Sequence, residues 1–75
     1  MNDVNIPRLG VAMTEGVFVE WFVADGAPVT AGTPIYLLET DKVENEIEAP
    51  AAGTVRILAE PGGTYPVGTT VARIE

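Results

Sequence analysis

The sequence predicts an all-β fold, a small sandwich or flattened barrel with quasi-twofold symmetry, and three observations lead there. Apolar residues alternate with polar ones in several short runs. The segments between those runs are dense in Gly and Pro, which stop helices and supply turns. The chain also repeats its own plan after 36 positions: Gly26 falls on Gly62, Gly32 on Gly68, Thr33 on Thr69, Ile35 on Val71 and Glu39 on Glu75.

Taken in order, "GVFVEWFV" opens the pattern, with Val17, Val19, Trp21 and Val23 alternating with Phe18, Glu20 and Phe22 in residue types that favour strands. "IYLLE" follows, then "VENEIEA", in which Val43, Asn45 and Ile47 oppose Glu44, Glu46 and Glu48. "TVRILAE" and "TVARIE" complete the set. The intervening "DGAPVTAGTP", "APAAG" and "EPGGTYPVGT" read as turns and connections, and no segment reads as a helix. Half a core of this size is not stable alone, so the two halves must pack together, with Trp21, Val19, Ile35, Leu37, Ile47, Val55, Ile57 and Val71 expected to face inward. "TDKV" is the expected turn between the second and third runs, with Lys42 at its tip. Asp and Thr suit the early positions of a type I turn, although two-residue hairpin loops more often carry Asn-Gly or Asp-Gly.

The 75 residues make one domain, 1–75. With 47% hydrophobic and 20% charged residues the chain has the composition of a globular domain and not of a disordered tail. It has no cysteine, hence neither a disulfide framework nor a thiolate metal site. The N-terminus lacks a basic segment followed by an apolar run, and no stretch approaches the roughly 18 apolar residues needed to cross a bilayer as a helix, so no membrane association is expected. A net charge of −7, with only Arg8, Lys42, Arg56 and Arg73 to meet phosphates, excludes nucleic acid and favours basic patches on protein partners.

Lys42 is the single lysine. On an arbitrary β-domain a charged hairpin tip is a solubility feature. A nucleophilic or Schiff-base role needs burial or a neighbouring cation, whereas Asp41, Glu39 and Glu44 favour the ammonium form. Without His or Cys there is no Ser/His or Cys/His relay, and the chain contains no dinucleotide or phosphate loop, so the unmodified polypeptide has no evident catalytic residue. Glu39, Asp41, Glu44, Glu46 and Glu48 lie close in sequence but lack calcium-loop spacing, and alternation spreads three of them along one strand face, so no metal is expected. The remaining role is as the point where another enzyme attaches something.

"ETDKV", followed by "EIEAPAAGTV" and preceded by "PRLGVAMTEGVFVEWFVADGAPVTAG", resembles the lipoyl domain of 2-oxo acid dehydrogenase complexes over essentially the whole chain. Pro7, Leu9, Gly10, Met13, Glu15 and Gly16, then Trp21, the Gly turns and Asp41-Lys42-Val43, match the family pattern in order. The resemblance implies a flattened barrel of two four-stranded antiparallel sheets, lipoate covalently attached at Lys42 on an exposed hairpin turn, and flanks Asp41 and Val43 that fix that turn. It also implies a swinging arm that carries acyl groups and reducing equivalents between a thiamine-diphosphate-dependent decarboxylase, an acyltransferase catalytic domain and an FAD-dependent dihydrolipoyl dehydrogenase, once a lipoate-attaching enzyme has acted. The domain itself is then a monomeric carrier and not an enzyme. The loop Gly10, Val11, Ala12, Met13, Thr14, Glu15 resembles the surface loop by which the decarboxylase recognises its own domain, with Glu39 and Glu44 adding negative charge nearby. From the residues alone Met13 serves core filling as readily as recognition, Glu44 reads equally as ordinary strand chemistry, and Trp21 reads as a packing anchor.

Two alternatives share parts of this pattern. A biotinyl carrier has the same fold and tip lysine but normally Met on both sides, where this chain has Asp41 and Val43. An unmodified β-module that only binds a protein partner would tolerate loss of the amine. "ADGAPV" and "PGGTYPV" depart from the family's frequent Gly-Asp pairs at turns remote from Lys42. The resemblance further suggests an N-terminal domain of a longer acyltransferase, or a free-standing carrier, in the cytoplasm or a mitochondrial matrix. The substrate, a 2-oxo acid or acetoin, belongs to the decarboxylase and is not written in this chain.

Overall fold

A computed structural model describes residues 2–40 and 43–75. Its strands are β1 (Asn2–Asn5), β2 (Glu15–Trp21), β3 (Pro28–Val29), β4 (Pro34–Thr40), β5 (Val43–Glu48), β6 (Gly53–Ile57), β7 (Thr64–Pro66) and β8 (Thr70–Ile74). They form two four-stranded sheets, ordered β1-β8-β6-β3 and β5-β4-β2-β7, with every pairing antiparallel. The expected pair of four-stranded antiparallel sheets is therefore present.

β3 lies in sequence between β2 and β4, yet pairs with β6 in the other sheet; β7 lies between β6 and β8, yet pairs with β2. Each sheet thus takes two strands from each half, so neither half contains a complete sheet. β3 and β7 run through segments that local sequence gives as connections, and each contains a proline, which a sheet tolerates at an edge where no ladder N–H is required. β1 likewise lies outside the runs legible by alternation and gains its place by pairing with β8.

The repeat seen in sequence is a structural twofold. Reading the sheets side by side matches β1 with β5, β8 with β4, β6 with β2 and β3 with β7. Phe22 N donates to Ile35 O at 2.8 Å, and Leu58 N, 36 residues on, donates to Val71 O at 2.9 Å. Thr33 N to Thr30 O and Thr69 N to Pro66 O are both 3.1 Å.

The core departs from strict alternation. Ile35, Val55 and Val71 are fully buried as expected, while Trp21, Ile47 and Ile57 are partly buried and pack against the core. Val19 and Leu37 are only half-buried, and Phe18, Tyr36 and Leu38 take the centre instead. Two register shifts cause this. Phe18 pairs with Leu38 but Glu20 with Leu37, so Val19 is an extra residue; Pro34 pairs with Glu48 but Tyr36 with Ile47, so Ile35 is another. An inserted residue changes the face of everything beyond it, which lets Phe18 and Trp21 both point inward and buries the consecutive Ile35 and Tyr36. Phe18 stacks on Tyr36 with ring centres 4.6 Å apart, and Trp21 sits 4.7 Å from Phe18 and donates its indole N–H to Ala59 O at 3.1 Å. Opposite these rings, the β6–β8 side offers the smaller Val55, Val71, Ala72 and Ile74, so large side chains meet small ones across the sandwich.

Candidate functional site

The site is built at one end of the β4–β5 ladder. Thr40 pairs with Val43, Glu39 with Glu44 and Leu38 with Asn45. The sequence between Thr40 and Val43 is Asp41-Lys42. The expectations placed on Asp41 and Lys42 concern positions outside the described residues. On the β5 side their described neighbours are open to solvent, Val43 being 57% exposed and Glu44 exposed, while on the β4 side Thr40 and Glu39 are half-buried.

Glu39 and Glu44 face each other directly across the ladder, an arrangement of like charges that weakens strand pairing and concentrates negative potential. The same outward face carries Glu46 and Glu20 on either side of Leu37. On the other sheet Arg56 pairs with Glu75 at 2.8 Å and Arg73 with Asp3 at 3.4 Å, so two of the four cations are already matched far along the chain. Glu44, Glu46 and Glu48 lie exposed along β5, and among the described residues no three carboxylates gather to hold a metal ion.

The pairing of Val17 with Glu39 sets the direction in which β2 enters the sheet, and so carries the preceding loop past the end of β4. Residues 9–15 and Thr40 line one surface hollow. Gly10, Val11, Ala12, Met13 and Thr14 are therefore brought beside Thr40, at the end of β4. Glu15, expected as part of the loop, opens β2 and pairs with Pro66. Val11 is 91% exposed and Leu9 is 48% exposed, whereas Met13 is partly buried against the core and its Sδ accepts a hydrogen bond from Leu9 N at 3.2 Å. Met13 thus anchors the loop, and Val11 projects from it. Trp21 acts as a packing anchor, through its place beside Phe18 and Tyr36.

Three contributors were not legible from local sequence. Arg8 donates from Nε to Gly10 O at 3.3 Å and from Nη2 to Val11 O, tying two loop carbonyls to one planar guanidinium. Thr40 joins the hollow from the other strand. Asn45 Nδ2 shares its two N–H donors among Thr40 Oγ1 at 3.2 Å, Val43 O at 3.3 Å and Leu38 O at 3.4 Å. The only signal for Asn45 in the sequence is its residue type, because Asn is depleted in strands.

The chain is similar to known proteins over nearly all its length. The Biotin_lipoyl family model, described as "Biotin-requiring enzyme", matches residues 2–74. The dihydrolipoyllysine-residue acetyltransferase component of the pyruvate dehydrogenase complex of Corynebacterium glutamicum is 45% identical over 73 residues, covering 96% of this chain and 11% of that protein. The corresponding component of the acetoin cleaving system of Cupriavidus necator is 44% identical over 63 residues, covering 83% of this chain and 17% of that protein. The chain therefore spans well under a fifth of these relatives. Among solved structures, the lipoyl domain of the 2-oxoglutarate dehydrogenase complex from Azotobacter vinelandii superposes with a TM-score of 0.81 at 26% identity, covering all of this chain and 96% of that one. The chain belongs to the biotin/lipoyl attachment family, and its fold is that of a lipoyl domain.

Proposed function

We propose that this domain is a lipoyl carrier, with lipoate attached to Lys42. The observation that carries the reading is the position of the single lysine: it belongs to the two residues that connect the paired strand ends, half-buried Thr40 and exposed Val43, in a chain with a lipoyl-domain fold. The donor set suits the group, since lipoate needs one primary amine with accessible flanks and no metal or thiol ligand from the protein. Bound lipoate supplies a dithiolane able to take up an acyl group with reducing equivalents and release both at other sites. Lys42 would hold the group through an amide, its amine displacing the leaving group of an enzyme-activated lipoyl carboxyl and giving up a proton.

The chain's own task is presentation. The sandwich carries the two strand ends, Glu39 and Glu44 put negative charge on the strands that the connection joins, and the Arg8-tied loop contributes Val11 to the hollow that Thr40 also lines. A tether of this kind keeps an intermediate at an effective concentration on the order of millimolar at each partner site. The partners in this reading are a thiamine-diphosphate-dependent decarboxylase, an acyltransferase catalytic domain, an FAD-dependent dihydrolipoyl dehydrogenase and a lipoate-attaching enzyme. The relatives in pyruvate and acetoin systems support a place in such a complex. Cytoplasm or mitochondrial matrix is the compartment this reading proposes.

Intact mass after expression with lipoate or biotin supplied tests the reading. The expected result is one lipoyl increment on the chain and none on Lys42→Arg. A biotinyl increment would favour the biotin carrier, and acyl transfer by the Arg variant in a reconstituted complex would defeat both.

A further inference from the structure

We infer that Asn45 is a positioning residue for modification of Lys42: its side-chain amide fastens the end of β4 to the start of β5 across the Asp41-Lys42 connection. The inference rests on the carrier reading and deepens it.

Asn45 faces inward in a row with Phe18 and Leu38, where a β-branched apolar residue would satisfy both strand preference and packing. A half-buried amide there costs free energy unless it is hydrogen-bonded. Its partners identify its purpose. Leu38 O and Val43 O can only accept, so the NH2 group must face them, and its two N–H donors are shared among these carbonyls and Thr40 Oγ1. One side chain therefore links both residues that flank the connection, Thr40 before it and Val43 after it.

Two features of this strand end make such a clamp necessary. Glu39 and Glu44 repel each other in the adjoining pair, and the connection is Asp-Lys instead of the Asn-Gly or Asp-Gly that favours a two-residue loop. Neither charge pairing nor turn preference supports the last rung of the ladder. A residue that breaks the local strand rule while repairing the rung beside the modified position is the pattern expected at a functional site. With the strand ends held, an attaching enzyme meets fewer conformations of the connection and spends less binding energy on ordering it.

The test uses the unmodified domain, a lipoate-attaching enzyme, lipoate and ATP. Asn45→Val removes the donors while keeping a strand-forming side chain, so it folds with an unchanged or higher Tm; Asn45→Thr retains one hydroxyl donor. The expected result for Asn45→Val is a loss of about tenfold in kcat/KM for attachment, carried mainly by KM. The Thr40 and Val43 amides should exchange with solvent faster to a similar degree, and Asn45→Thr should recover part of both effects. Attachment to Asn45→Val at the unaltered kcat/KM overturns the proposal, as do Val and Thr variants that are equally slow. If the unaltered chain gains no lipoyl mass, the carrier reading itself falls and takes the proposal with it.

Discussion

Replacing Gly53 by alanine strikes the point where the chain's last residue meets the start of β6. The Gly53 φ of 154° lies where L side chains rarely go, and a Cβ there would sit 2.5 Å from Glu75 O and 2.7 Å from Ile74 Cγ2. The oxygen cannot turn aside, because Thr54 N donates to it at 2.8 Å and Glu75 N donates back to Thr54 O at 2.9 Å. The backbone conformation costs about 1–3 kcal/mol for a residue with a side chain. Relieving the contact adds about 1–3 kcal/mol of overpacking strain. Against a total stability of roughly 4–11 kcal/mol for a domain of this size, the variant loses a large part of its margin. Its Tm should fall by more than about 8 °C. Gly26→Ala provides the control: its φ is 87°, but nothing lies within 4 Å of the added methyl, so only the conformational cost applies. Urea denaturation followed by Trp21 fluorescence measures both. If Gly53→Ala costs no more than Gly26→Ala, the argument from the locked Glu75 carbonyl is refuted.

Burial pushes the Tyr36 phenol up to about 12 from its usual 10, so below pH 10 folded and unfolded chains both keep the proton and stability is at its full value. Between pH 10 and 12 only the unfolded chain ionises there, and the unfolding free energy from urea titration should decline by up to about 1.4 kcal/mol per pH unit. Tyr36→Phe should flatten that decline, and an equal decline in the variant would assign it elsewhere. Val11→Asp, at a position 91% exposed, should change stability by no more than about 0.5 kcal/mol. If the proposed carrier reading holds, it should nevertheless lower kcat/KM for reductive acylation of the lipoylated domain by a partner decarboxylase roughly fivefold, by placing a desolvated charge in the contact. Unchanged acylation kinetics would remove Val11 from the recognition surface.

Alternation, Gly-Pro punctuation and the 36-residue offset exposed the main strands because they are local or self-referential properties of the chain. Thr33 over Thr69 and Ile35 over Val71 are the same positions in two matching turns and strands, and the hydrogen bonds repeat with them. Lys42 stood out for a chemical reason as well: one amine in a chain without His or Cys leaves little else to carry a function.

The two bulges were invisible, since an extra residue at Val19 or Ile35 is defined only by the partner strand it fails to match, and each one reassigned the faces of the residues around it. β3 and β7 were equally hidden: two or three residues with a proline have no strand preference of their own and become strands only against an edge supplied by the other half. By itself, then, the sequence determined a β-fold of two related halves and singled out Lys42 as its one side-chain amine. Tertiary structure alone decided which side chains fill the core, how Arg8 and Asn45 brace the loop and strand ends, and that Thr40 borders residues 9–15, because those outcomes depend on register between segments distant in the chain.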